Sequence, residues 1–115
     1  MDSSAFYLST YNIRGLSANN VKMVNDLIKE YGEDKMVIGL QEHFQLKKNL
    51  RKINNSFQNM AIIAKEAIKS TNVVNTSRPK GGIAMLVPKA MRSSISIINC
   101  QSWRIQAITM MVGTL

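Results

Sequence analysis

Residues 36–44 read "MVIGLQEHF", Met36 through Phe44. An apolar run, Met36 to Leu40, is followed at once by three polar side chains, Gln41, Glu42 and His43. A continuous apolar run this short, bounded by turn signals, predicts a buried strand. Upstream, Phe6 to Tyr11 is rich in aromatic and hydroxyl residues and predicts a second strand, which delivers Asn12 to the turn of "YNIRGL" (Tyr11 to Leu16). Between the two, Val21, Val24, Ile28 and Tyr31 recur at helical spacing, and Leu27 widens the stripe. Ser17 or Asn19 offers a cap for this helix, Gly32 a stop, and Lys22 with Asp26 an i,i+4 pair on its wet side. Strand, helix, strand in about 35 residues predicts a βαβ unit with parallel strands.

If those strands are parallel neighbours, Asn12 and Glu42 emerge at the same sheet edge. Ligands of open α/β sheets bind at the carboxyl ends of strands. A carboxylate there suits an oxygen-loving cation such as Mg2+, which binds one or two carboxylates and keeps several waters. The competing reading is that both side chains only bond nearby loop amides. The other carboxylates are less suggestive. Asp26, Glu30, Glu33 and Asp34 fall on the helix and its exit, where solvation explains them, and Glu66 is isolated. His43, the only histidine, would point away from Glu42 if the strand continued, so a loop or supporting position is expected. No Ser-His-Asp set and no Cys/His cluster can be assembled.

Downstream, "FQLKKNLRKINNSF" (residues 44–57) places Leu46, Leu50, Ile53 and Phe57 on one helical face. Lys47, Lys48, Arg51 and Lys52 fall elsewhere on it, which predicts a core-packed helix with a solvated basic outer face, the alternative being a basic amphipathic helix that binds phosphates or a membrane surface. Strands are expected at Met60 to Ala64, Ile83 to Val87, Ser94 to Ile98 and Trp103 to Val112, with an exposed loop over residues 69–80 and a turn at Gly113-Thr114. Gly81-Gly82 reads as turn chemistry, because the spacing of a phosphate-binding loop is absent.

The 115 residues suffice for one small domain, and 45% are apolar. Cys100 is the sole cysteine, so no internal disulfide forms. The start lacks a basic leader, and no run approaches the ~20 apolar residues of a membrane span. An intracellular chain, cytoplasmic or nuclear, is therefore expected. Charge is unevenly spread. Residues 1–42 carry four Lys/Arg and six Asp/Glu, a net of −2. Residues 43–115 carry eleven Lys/Arg and only Glu66 against them, a net of +10. This asymmetry points to a polyanion, with nucleic acid the default and a solvated basic surface the alternative.

Taken in order, "YNIRGL", "VIGLQEHF", "GGIAMLVPK" and "SWRIQAITM" resemble the endonuclease/exonuclease/phosphatase superfamily. The likeness is nearest to the apurinic/apyrimidinic-like endonuclease domain of non-LTR retrotransposons. It implies a four-layer α/β sandwich of two packed sheets, of which residues 1–115 resemble about the first half, as a single truncated domain. It also implies Mg2+-dependent hydrolysis of a phosphodiester in DNA. By position, Asn12 and Glu42 match the family's catalytic Asn and metal-binding Glu, and Gln41 matches the residue before that Glu. His43 does not match the family histidine, which belongs to a later Ser-Asp-His motif. That motif, the Tyr-containing strand and the Asp-x-Asn motif are not found here, so the chain alone is expected to be inactive. Arg14, Lys47, Lys48, Arg51, Lys52, Arg78 and Lys80 are the expected contacts to the nucleic-acid backbone. An uncovered sheet face would favour self-association. The alternative class is a non-enzymatic nucleic-acid-binding or remnant module.

Overall fold

The computed structural model describes residues 5–68 and 79–111. The first strand, β1 (Tyr7–Asn12), leads through a tight loop to helix α1 (Ala18–Tyr31) and then to β2 (Met36–Gln41). Ser17 caps the helix by accepting the Asn20 N–H at 3.2 Å, and Gly32 ends it in a left-handed conformation while its N–H reaches the Ile28 carbonyl at 2.8 Å. The expected Lys22–Asp26 pair forms at 2.7 Å on the solvent side. Its exposure limits it to a few tenths of a kcal/mol, about 0.3–0.5. β1 and β2 pair in parallel, with Asn12 opposite Gln41.

β3 (Met60–Lys65) and β4 (Ile83–Pro88) complete a four-stranded sheet of order β1-β2-β4-β3, whose last two pairings are antiparallel. Strand alternation decides its two faces. Met36, Ile38, Leu40, Ala84 and Leu86 point to one face, where they pack with Val24 and Ile28 of α1 and with Ile53 and Phe57. These side chains are essentially solvent-free, and full burial of each large one is worth roughly 1.5–3 kcal/mol. On the other face lie Val37, Ala61, Ile63, Met85 and Val87, packed with Ile95, Ile108 and Met110. Those last three belong to an antiparallel hairpin, β5 (Ile95–Ile98) and β6 (Ala107–Met110), the second and smaller sheet. The result is a small mixed α/β domain with two sheets and helices. No helix among the described residues is long and apolar enough to cross a membrane.

Two expected elements are shorter than the sequence suggests. The helix over residues 44–57 is a 3-10 turn at Lys47–Asn49 followed by a short α2, Arg51–Ser56. Its first residues are claimed by the segments that follow β3 and precede β4. The Phe44 N–H binds the Gly81 carbonyl at 3.0 Å, and the Gln45 carbonyl accepts the Ala67 N–H at 2.8 Å, so no helix can start there. The strand expected from Trp103 begins only at Ala107. Lys65 Nζ draws the Cys100 and Ser102 carbonyls to 2.6 and 3.1 Å, and the Ile105 N–H turns back on Ser102, which bends the chain. A 3-10 segment, Lys89–Ser94, joins β4 to β5. The 69–80 loop falls outside the described residues except for Pro79 and Lys80, where Lys80 bridges Ile68, and the Gly113-Thr114 turn falls outside them entirely.

Candidate active-site edge

Parallel pairing makes β1 and β2 end on the same side, and the backbone ladder continues past both strands. The Ile13 N–H donates to the Gln41 carbonyl at 2.9 Å, and the Gly15 N–H to the Glu42 carbonyl at 2.8 Å. Ile13 is fully buried and anchors the loop, while Asn20 of α1 holds its carbonyl at 2.7 Å. On this frame the Asn12 side-chain amide donates directly to the Glu42 carboxylate. The neighbouring rung is locked as well, since Gln41 Nε2 donates to Thr10 Oγ1 at 2.6 Å.

Both loops are conformationally unusual. Arg14, Glu42 and Phe44 have φ of 50°, 60° and 63°. Non-glycine residues rarely occupy this left-handed region, and such residues gather where the surrounding structure over-determines them, often at functional sites. Here the determination is visible. Residues 42–45 are held from one side by Gly15 and from the other by Gly81 and Gly82, whose carbonyls accept the Phe44 and His43 N–H groups at 3.0 and 3.3 Å. A cleft of about 550 Å³ opens beside Glu42, lined also by Phe44, Pro79, Lys80 and Gly81.

His43 takes no part in that cleft. It is fully buried, its Nδ1 accepts the Gln45 N–H at 2.9 Å, and its Nε2 faces the Lys65 carbonyl at 2.9 Å. An acceptor role for Nδ1 places the proton on Nε2, so the ring is neutral and both nitrogens are used. Burial lowers its pKa below the ordinary 6.5, and hydrogen bonds to the Lys65 and Ile83 backbone oppose only part of that shift. The ring lies where a side chain on Gly82 would be, since an ideal Cβ there would sit 2.3 Å from His43 Cε1. Gly82, at φ 90°, is thus fixed by close approach as well as by its backbone conformation.

The basic residues divide. Lys80 lines the Glu42 cleft, and Arg14 is exposed on the loop next to Asn12. Lys47 lines a second cavity of about 340 Å³ with Lys65 and Trp103. Lys48, Arg51 and Lys52 are exposed around the start of α2. Arg78 lies outside the described residues. Phe44, Lys65 and Trp103 were not singled out from the sequence. The one signal for Trp103 was a lone tryptophan set among polar residues and flanked by Ser102 and Arg104. A larger cavity of about 800 Å³ lies at the opposite end of β2, between the C-terminal part of α1 and the α2–β3 loop, and shares no residue with this edge.

Asn12 and Glu42 supply oxygen donors only, a set suited to a hard divalent cation that retains most of its water. Among the described residues, no group of three or more His, Cys, Asp or Glu side chains is gathered where it could enclose a metal ion. Within the cleft, Glu42 is the one carboxylate among the described residues. The cleft thus joins one carboxylate, Glu42, and one cation, Lys80, with an apolar lining from Phe44 and Pro79. No protein-family model matches the chain, and no curated protein or solved structure matches it.

Proposed function

We propose that this chain is the N-terminal part of a Mg2+-dependent phosphodiester hydrolase of the endonuclease/exonuclease/phosphatase superfamily, resembling retrotransposon DNA endonucleases. The observation that carries the reading is the hydrogen-bonded Asn12–Glu42 pair at the carboxyl ends of two parallel strands, with Glu42 held in a left-handed conformation. In this reading the fold is the beginning of a four-layer α/β sandwich, and the β5–β6 hairpin starts its second sheet.

Glu42 would hold Mg2+, with Asn12 beside it. Bound there, the cation would polarise a phosphate oxygen and offset charge developing on the leaving oxygen. Asn12 fixes the rotamer of the carboxylate by donating to it. Lys80 at the cleft and Arg14 on the adjoining loop hold the DNA backbone near it. Neutral, enclosed His43 stiffens the loop that carries Glu42 and moves no proton. The base that activates water is assigned to a segment beyond these residues. General-base help is typically worth ~10²–10⁴-fold, so the chain by itself is expected to be inactive.

A supercoiled-plasmid nicking assay with Mg2+ tests this, using the chain, its Glu42→Ala variant, and the chain joined to the later half of a related domain. Nicking is expected only in the joined protein, and only with Glu42 present. Activity of the joined protein that survives Glu42→Ala would remove Glu42 from the mechanism. The exposed cations Lys47, Lys48, Arg51 and Lys52 favour one other reading, a basic nucleic-acid-binding module without catalysis. It predicts binding with no nicking in any of these proteins.

A further inference from the structure

Trp103 is the only tryptophan in the chain, and it is partly exposed. The β5–β6 loop that carries it is pinned by the Lys65 ammonium through the Cys100 and Ser102 carbonyls. Ser102 Oγ then accepts the Arg104 N–H at 3.1 Å. The six-membered edge of the indole lies against Gly81, where an ideal Cβ would sit 2.5 Å from Cζ3. Gly81 also lines the Glu42 cleft, and Trp103 lines the adjoining cavity of about 340 Å³. The indole therefore stands at the boundary between the two.

The surroundings of the ring are specific. Leu50 and Ala64 give the second cavity an apolar wall, Gln101 and Ser102 give it polar groups, and one carboxylate, Glu66, is set there against Lys47 and Lys65. Lys47 on that side and Lys80 on the other bracket the ring with positive charge. The exposed Arg104 guanidinium already lies 5.0 Å from the ring centroid, so the indole accepts a planar cationic partner. An aromatic face between cations is how strands of nucleic acid are gripped without regard to sequence, by base stacking along a positively charged track. A tryptophan used only for packing would be expected in one of the two apolar clusters, and it is in neither.

We propose that Trp103 is a stacking platform for an unpaired base of a nucleic-acid strand whose phosphates follow Lys47 and Lys80 past the Glu42 cleft. This rests on the nucleic-acid reading above and names a contact beyond it. When a base enters, Arg104 leaves the ring and meets a phosphate.

Because Trp103 is the sole tryptophan, its fluorescence reports the contact directly. The probe is a labelled oligothymidylate of about eight nucleotides, within the usual span of one such site. An abasic strand of equal length serves as the comparison. Label anisotropy gives affinity for the wild type, Trp103→Phe and Trp103→Ala, and tryptophan emission gives stacking in the wild type. Oligothymidylate is expected to quench the emission, and the abasic strand to bind more weakly without quenching. Trp103→Ala is expected to weaken oligothymidylate binding about fivefold or more, in line with one stacked base. Trp103→Phe should retain most of the affinity, and neither variant should alter abasic binding. Binding of oligothymidylate without quenching, or equal losses in both variants, would overturn the stacking role while leaving nucleic-acid binding intact. Absence of binding by either strand would overturn both.

Discussion

Glu42 depends on its neighbours at the scale of single residues. Its left-handed backbone persists because Gly82, His43 and Gly15 leave the segment no alternative path. Gly82→Ala should then be costly, since it places a Cβ 2.3 Å from the buried imidazole at a φ of 90°. We expect a loss of about 3 kcal/mol or more, from overpacking together with backbone strain. Chemical denaturation checks it, and a loss below about 1 kcal/mol would show that the His43 contact can relax. His43 also makes stability depend on pH. Its folded pKa lies below its unfolded one, so the unfolded chain takes up the proton first as pH falls. The His43 contribution is therefore complete above about pH 6.5 and is lost as pH falls from there toward the folded pKa. The slope can reach about 1.4 kcal/mol per pH unit. Urea titrations across this window should show that slope in the wild type and not in His43→Gln. Equal slopes would mean that His43 titrates alike in both states.

Among the elements, β1 is an exposed strand. It forms one edge of the larger sheet, none of its residues is fully buried, and Leu8 is 77% exposed. Leu8 shares a face with Val37, but the hairpin covers the Val37 side without reaching it. The strand carries no charge, proline or bulge to discourage pairing. We expect the chain to self-associate with rising concentration and Leu8→Lys to remain monomeric, as read by sedimentation. Monomeric behaviour of both proteins would show that this edge is adequately protected.

The β1-α1-β2 unit was readable in the sequence because its signals are local: an apolar run, a helical stripe, Ser17 and Gly32. The meeting of Asn12 with Glu42 followed from that unit's parallel pairing. Contacts made at long range were not readable. Nothing near residue 44 signals that Gly81 and Ala67 will take the hydrogen bonds of Phe44 and Gln45 and delay the helix. Nothing near Trp103 signals that Lys65 will bend its loop. Gly81-Gly82 was read as turn chemistry; both residues take a positive φ, but the rings that press on them come from positions 43 and 103.

Over the whole molecule, the two functional proposals meet at one edge. The Asn12–Glu42 pair, the Lys80 cleft and Trp103 are joined through Gly81, while both apolar clusters lie behind them in the sheet. The positive charge that follows residue 42 in sequence reaches this edge through Lys80 and Lys47. The central claim is that Glu42 is the cation ligand of a phosphodiester site. Binding of Mn2+, a spectroscopic substitute for Mg2+, tests it most directly and does not require catalysis. Electron paramagnetic resonance can count free Mn2+ with and without a short oligonucleotide. The account predicts weak binding by the wild type that tightens when the strand is present and disappears in Glu42→Gln. Binding of equal strength in wild type and Glu42→Gln would contradict it.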